Sequence, residues 1–331
     1  MESAWIEYLR SESGTELIGD DAAVIDGKVF TVDMLTEGVD FILSEVSLEL
    51  VGRKSLAVNL SDIAAMGAVP ESVLIAVSLP RNKQNKSSIS KTDELVKIGG
   101  DSGDGGDSID GIVKDDAGLI LASKLYAGMK PLLEKYHVKV AGGDTNCWDG
   151  GLVIAITAIG SVLPQGVFKR AGVKADDAIL VTGELGGSIL RHQFLFEPRI
   201  FEAIYLNQNH TIHAAIDISD GLAIDLHKIA KESNLGAIIS ANRIPISNDA
   251  ITCSKNSGRT PLEHALADGE DFELLLAAPQ SEADNLIKTQ PLLKKFGTKL
   301  HQIGHFKNSQ KIEIINQNGT TSLLPKIGYE H

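Results

Sequence analysis

Apolar residues recur at helical spacing over 48–66, LELVGRKSLAVNLSDIAAM, and the GAVP turn at 67–70 stops the pattern. Before it, the pattern predicts a short N-terminal helix and two short strands, around AAVID (22–26) and KVFTVDM (28–34). After it, SVLIAVSLP (72–80) reads as a strand, LILASKLYAGMKPLLEKYH (119–137) as a helix, and VKVAGGDTN (138–146) as a strand and its loop. LVIAITAIGSVL (152–163) is β-branched and too short to span a bilayer as a helix, so it reads as a buried strand. Near residue 164 the chain enters a second half. There ADDAILVTGELGGSIL (175–190) predicts strand, Gly-rich turn and helix, and AAIDISDGLAIDLHKIAKES (214–233) strand, loop and helix. GEDFELLLAAP (269–279) predicts a turn into a strand, and LHQIGHF (300–306) and KIEII (311–315) late strands. Strands and helices mix in both halves with several hairpin-length gaps, an α+β pattern rather than a strict βαβ repeat. The expected division is 1–163 and 164–331.

Residues 81–118 break the pattern. A Lys/Ser/Asn stretch precedes GGDSGDGGDSIDG (99–111), from which no packed core can be built, and the segment reads as an exposed insertion. The acidic run lacks the spacing and terminal Glu of an EF-hand loop and reads as a solvated loop.

With 331 residues the chain has length for two ordinary domains, and 43% hydrophobic with 23% charged residues is a globular composition. Aromatics at 5% leave the cores mostly aliphatic. A net charge of −13 argues against a nucleic-acid partner, since no basic surplus exists to neutralise a polyanion. It leaves room for a small phosphorylated ligand held through divalent cations. Cys147 and Cys253 make neither a disulfide framework nor a zinc ribbon. MESAWIEYLRSESG lacks the basic and apolar regions of a signal peptide, so a cytoplasmic protein is expected.

Candidate chemistry lies in acidic residues at strand-to-loop junctions: GDDAA (Asp20, Asp21), TVDML (Asp33), NLSDI (Asp62), AGGDTN (Asp144) and IDISDG (Asp217, Asp220). Asp is a short, hard oxygen ligand. Small neighbours let a ligand approach the backbone, and Mg²⁺ takes one or two carboxylates together with substrate phosphates. Taken singly, each of these residues reads more readily as a turn or cap residue than as a ligand. Asp62 stands apart because it interrupts an apolar helix, where an unpaired carboxylate is unfavourable. No GxxxxGK[ST] loop, dinucleotide GxGxxG, HRD, DFG or HExxH is present, no Ser/His/Asp set can be proposed, and TGELGG (182–187) could be a tight turn. Composition and spacing alone therefore give an α+β protein with a multi-metal, anionic-ligand site.

Eight segments in order resemble the thiamine-monophosphate kinase family, within a group that includes aminoimidazole ribonucleotide synthetase, selenophosphate synthetase and HypE. They are GDDAAV (19–24), TVDML (31–35), EGVDF (37–41), VGRKSLAVNLSDIAAMGAVP (51–70), AGGDTN (141–146), KRAGVKADDAILVTG (169–183), AIDISDGLAIDL (215–226) and GEDFELL (269–275). The resemblance spans most of the chain. It implies an N-terminal ATP/Mg-binding and dimerisation domain whose mixed sheet forms a barrel across a homodimer, and a C-terminal α/β sandwich domain closing over nucleotide and substrate. It implies direct in-line transfer of the γ-phosphoryl of ATP to thiamine monophosphate, the last step of thiamine diphosphate synthesis, with several Mg²⁺ ions and no covalent enzyme intermediate.

Carried over by motif, Asp21, Thr31, Val32, Asp33, Asp62, Asp144, Asp217 and Asp220 are implied metal ligands, Thr31 and Val32 through hydroxyl or backbone oxygen. Asp62, Asp144 and Asp220 would act catalytically through metal. Tyr126, Gly143, Asp144, Arg170 and Ser219 are implied on the ATP side, and Asp40, Glu270 and Lys326 on the acceptor side. Tyr126 is equally open to a helix-face packing role, Arg170 to a surface role and Glu270 to a turn role. The sequence departs from the family pattern at Asp40, where His is expected, and at Lys326, where an aromatic residue often stands. It also departs in the 81–118 insertion and in the short SILRHQFLFEPRI stretch (188–200). A related kinase with another phosphorylated acceptor and a non-catalytic ATP/Mg-binding regulator are the alternatives. A regulator needs fewer mutually repelling carboxylates.

Overall fold

The computed structural model describes residues 2–15, 17–81 and 117–329. The insertion expected at 81–118, with its acidic run 99–111, falls almost wholly outside the described residues.

Helix α1 (Glu2–Ser13) leads into strands β1 (Ala23–Ile25) and β2 (Lys28–Thr36). Helix α2 (Leu48–Ala65) follows, started by Ser47, whose hydroxyl accepts the Leu50 N–H. Strand β3 (Val69–Pro80) begins at once, so the turn expected over 67–70 is tighter than the motif suggests. Helix α3 (Ala117–Lys135) and strands β4 (Lys139–Trp148) and β5 (Val153–Ser161) complete the first sheet, ordered β1-β2-β5-β3-β4. Only β3 and β4 run parallel in it.

Where a loop was expected after residue 140, β4 stays extended to Trp148. Gly142 and Gly143 sit at φ +154° and +157°, open to glycine, beside a register shift against β3. A Cβ on Gly143 would stand 1.8 Å from the Ile75 carbonyl oxygen. Glycine is therefore required here by sheet packing, whatever ligand comes near.

The second sheet is ordered β12-β11-β8-β10-β6-β9-β7. Its strands are β6 (Ala178–Thr182), β7 (Ala214–Asp217), β8 (Gly236–Ser240), β9 (Leu274–Ala278), β10 (Leu300–Lys307), β11 (Ile312–Ile315) and β12 (Thr321–Leu323). Helices α4 (His192–Leu195), α5 (Ile200–Asn209), α6 (Leu222–Glu232), α7 (Asn248–Ser257), α8 (Pro261–Ala267), α9 (Gln280–Thr289) and α10 (Pro291–Phe296) connect them. The fold is α+β with two mixed sheets. The sequence pattern did not announce α5, β8, α7 to α10 or β12. Most are short, and α7 is mainly polar with a single fully buried side chain, Ala250, so its period is faint.

α2 is the central element. It is buried nearly all round, packing on β2 and β5, on α3, and on α4, α5 and β7 of the second half. Its approach to α3 is close enough to need glycine on both helices. A Cβ at Gly52 would lie 2.0 Å from the Leu125 carbonyl oxygen, and one at Gly128 would lie 1.7 Å from that of Glu49. No described helix is long and apolar enough to cross a membrane.

Gly128→Ala should force these backbones apart and lower stability by about 1–3 kcal/mol, the usual range for overpacking. Denaturant unfolding measures this, and an unchanged midpoint would show that the contact yields freely.

Candidate active site

The first half delivers Asp21 from the loop before β1, and Asp62 from the last turn of α2. The second half delivers Asp217 from the end of β7. Their carboxylate oxygens lie within 4.8 Å of one another. The helical period places Asp62 against β2, where the Thr31 hydroxyl donates to its Oδ2. Ser61, the preceding residue, faces the other half and donates to Asp217 Oδ2 at 2.6 Å. One turn of α2 therefore serves carboxylates of both halves. Asp33 lies close enough to Asp62 to repel it, and its backbone N–H is held at 3.2 Å by the side-chain oxygen of Asn59.

Burial pushes the Asp62 carboxyl well above the usual range, and the charges of Asp33, Asp217 and Asp21 push it further. Asp217 rises in the same direction, from burial first and then from Asp21. Asp21 Oδ2 is buried without a hydrogen-bond partner among the described residues. Three hard oxygen donors from three elements, one of them orphaned, suit a divalent cation with an oxygen shell.

Arg170 closes one side. Its guanidinium donates to Asp21 Oδ1 at 2.6 and 3.3 Å, and its backbone N–H donates to Asp20 Oδ1 at 2.8 Å. Burial works against its charge, but Asp21, helped by Asp217 and Asp225, outweighs burial and the guanidinium stays protonated. Asp220 turns toward α6, where the Lys228 ammonium donates to its Oδ2 at 2.6 Å. Asp225 accepts the Asp220 and Gly221 N–H groups at 3.1 Å and Lys228 at 2.9 Å. Burial, opposed by Lys228, pushes the Asp225 carboxyl up to about 6. This brace fixes the backbone of the DISDG loop.

Asp144 stands apart from the triad, exposed on β4, with one oxygen accepting the Thr145 N–H at 2.9 Å. It shares a 390 Å³ cavity with Gly143 and Tyr126. α3 forms one wall through Ala122, Leu125 and Met129, and β3 and β4 form the other through Ile75, Val77 and Val140. An apolar slot with an exposed tyrosine and a carboxylate at its edge suits a flat ring bearing an anionic tail. Val32 turns its side chain to the opposite, exposed face of the sheet, which leaves only its carbonyl as a ligand atom.

Of the residues expected on the acceptor side, Asp40 accepts the Thr36 N–H at 2.6 Å, a turn-closing role. Glu270 sits at φ +54° and Phe272 at φ +52°, left-handed positions that non-glycine residues adopt only when the surroundings enforce them. The enforcing bonds are Glu270 N–H to the Ser219 carbonyl at 2.7 Å and Phe272 N–H to the Ile218 carbonyl at 2.9 Å. They staple this loop to the DISDG loop. Lys326 is exposed on the C-terminal tail, and the tail reaches the site where the Tyr329 N–H donates to the Asp220 carbonyl at 2.9 Å. The sequence reading did not pick out Ser61, Asn59, Asp225, Lys228 or Lys54. The rule that singled out Asp62, a polar group inside an apolar helix, would also have found Lys54, Asn59 and Ser61.

Two halves joined through an acidic site define the class. The AIR synthase related protein N-terminal domain matches residues 19–162, and the corresponding C-terminal domain matches 170–316. Thiamine-monophosphate kinase of Rhodopirellula baltica is 37% identical over 301 residues, covering 86% of this chain and 84% of that protein. The Bacillus subtilis (strain 168) enzyme of the same name is 30% identical over 345 residues, covering 95% and 92%. The structure of AaThiL complexed with AMPPCP and TMP superposes with a TM-score of 0.77 at 23% identity, covering 100% of this chain and 96% of that one. The chain belongs to the thiamine-monophosphate kinase family.

The raised carboxyls fix the sign of a pH effect. Asp62 has a folded pKa above its unfolded value, so its contribution is neutral below the ordinary carboxylate range and grows destabilising as pH rises from there up to the folded value. In EDTA, Asp62→Asn should match the unsubstituted protein near pH 4 and exceed its stability by about 1 kcal/mol or more at pH 7. Mg²⁺ should raise the melting temperature of the unsubstituted protein but not of the variant. Thermal unfolding across pH measures both, and equal Mg²⁺ stabilisation of the two proteins would remove Asp62 from the ligand set.

Proposed function

We propose that the chain transfers the γ-phosphoryl of ATP to thiamine monophosphate, with Mg²⁺, giving ADP and thiamine diphosphate. The observation that carries this reading is the Asp21–Asp62–Asp217 cluster beside Arg170. The cluster is composed by both halves and lies on the face of the sheet that also holds the Tyr126 cavity. The relatives are named for this activity, and AaThiL was solved with an ATP analogue and TMP.

The base of ATP fits between Tyr126 and β4, with Gly143 and Asp144 toward its phosphates. Arg170 presents a planar fork suited to phosphate oxygens. Ser219 and Asp220 approach from the DISDG loop of the second half. Asp21, Asp33, Asp62, Asp144, Asp217 and Asp220, with the oxygens of Thr31 and Val32, would hold the Mg²⁺ ions. When bound, Mg²⁺ neutralises phosphate charge and so lowers the repulsion between donor and acceptor. The acceptor oxygen is already ionised, so no side chain is needed as a strong base. The residues act by positioning, which suffices for in-line phosphoryl transfer. Glu270, with Asp40 and Lys326 nearby in the motif order, forms the acceptor side, its carboxylate suited to the cationic or amino head of thiamine.

A homodimer and a division of the chain near residue 163 belong to the same proposal. Val32 pairs across Thr157 with Leu74, and Met34 across Ala155 with Ala76. Val32 and Met34 are each 64% exposed and Leu74 is 41% exposed, an apolar row on a sheet face that no described element covers. β4 is exposed along its whole length and pairs on one side only. A second copy would bury both features and close the barrel. The division is supported by the two sheets, which use residues 23–161 and 178–323 separately.

Incubation with ATP, Mg²⁺ and thiamine monophosphate should give thiamine diphosphate and ADP in equal amounts, abolished by EDTA. ADP without thiamine diphosphate would exclude this acceptor. Light scattering should give about twice 35.3 kDa, and Met34→Glu should give a monomer. An unsubstituted protein that is monomeric and fully active would contradict the shared barrel.

A further inference from the structure

Lys54 is 1% exposed, eight residues before Asp62 on α2, and nothing in the chemistry described so far uses it. A buried ammonium is unfavourable unless every donor is met. Its ammonium donates to Gln193 Oε1 at 2.7 Å and to the Asp40 carbonyl at 3.0 Å, and it meets a third acceptor, Glu270 Oε1, as an ion pair at 2.5 Å. The Phe194 ring lies 5.0 Å from the nitrogen and shields it. The acceptors come from three separate places, namely the loop after β2, helix α4 and the left-handed loop before β9. Two belong to the second half and one to the first.

We propose that Lys54 is the positioning residue of the acceptor subsite. It grips one oxygen of Glu270 and leaves the rest of that carboxylate, whose side chain is 32% exposed, to face the acceptor. The same ammonium ties down the Asp40 loop, so two of the three motif-assigned acceptor residues, Asp40 and Glu270, hang on one nitrogen. Because Lys54 and Asp62 share one rigid helix, α2 acts as a ruler. Eight residues at the α-helical rise separate them by about 12 Å along the axis. The head-group carboxylate is thereby set at a fixed distance from the metal-binding end, which selects an elongated acceptor with a phosphate at one end and a cationic or amino group at the other. Lys54 is buried and does not reach the substrate space itself, so it acts through Glu270.

This inference rests on thiamine monophosphate being the acceptor, and its test separates the two claims. Steady-state kinetics of the full-length protein are measured with thiamine monophosphate and with ATP varied in turn. No thiamine diphosphate from the unsubstituted protein would overturn the acceptor reading itself. Given turnover, Lys54→Met should raise the KM for thiamine monophosphate about tenfold or more, with the KM for ATP changed less than about twofold. In the Glu270→Gln background the same substitution should add little, because the group it positions is already neutral. Equal changes in both KM values, or full additivity with Glu270→Gln, would overturn the positioning role, as would a lower melting temperature with neither KM moved. Gln193→Met removes only one of the three acceptors and keeps the question open to measurement should Lys54→Met fold poorly. It should raise the KM for thiamine monophosphate about threefold and leave that for ATP unchanged, and an unchanged acceptor KM would count against the proposal.

Discussion

Like charge brought together at the junction of the two halves governs this molecule. Asp21, Asp62 and Asp217 converge within 4.8 Å, two of them with carboxyls driven upward by burial and by each other. Folding alone does not favour such a cluster. The surrounding bonds offset part of the repulsion: Arg170 on Asp21, the Thr31 hydroxyl on Asp62 and the Ser61 hydroxyl on Asp217. What they leave over, notably the Asp21 oxygen with no partner among the described residues, suits a cation. On the proposed function, stability given up at this point would be recovered when metal and phosphate bind.

α2 makes the arrangement possible. Its glycine-tight contact with α3 sets the wall of the Tyr126 cavity, and its C-terminal turn carries Ser61 and Asp62 to opposite partners. Its middle turn carries Lys54 to the Asp40 and Glu270 loops. A helix buried on all sides is a poor candidate for movement. The DISDG and GEDF loops are instead fitted to it, braced by Asp225 and Lys228 and by left-handed backbone at Glu270 and Phe272.

The legibility of the sequence followed the physics of each segment. α2 is readable to within a residue because apolar residues recur at helical spacing along its whole length and a Gly turn ends it. Asp62 was readable because a carboxylate in that setting demands a reason. The same reasoning singles out Lys54 as a buried cation on this helix, though not its partners Gln193 and Glu270 in the second half. β4 was read as ending in a loop because glycine pairs usually mark turns, whereas here they let two strands approach. α7 and α8 were missed because their polar, short sequences take their shape from capping and tertiary contact, as the Thr260–Glu263 capping box of α8 illustrates. Residue contacts across the halves, such as Ser61 to Asp217, have no local signal at all.

The central claim is that the carboxylates of both halves form one metal centre at the phosphates. Anomalous scattering from crystals grown with Mn²⁺, in place of Mg²⁺, and a non-hydrolysable ATP analogue tests it directly. A peak about 2.0–2.2 Å from oxygens of Asp62 and of Asp21 or Asp217, also contacting the phosphates, is the expected result. Nucleotide bound with Mn²⁺ only at other carboxylates, leaving this cluster empty, would contradict it.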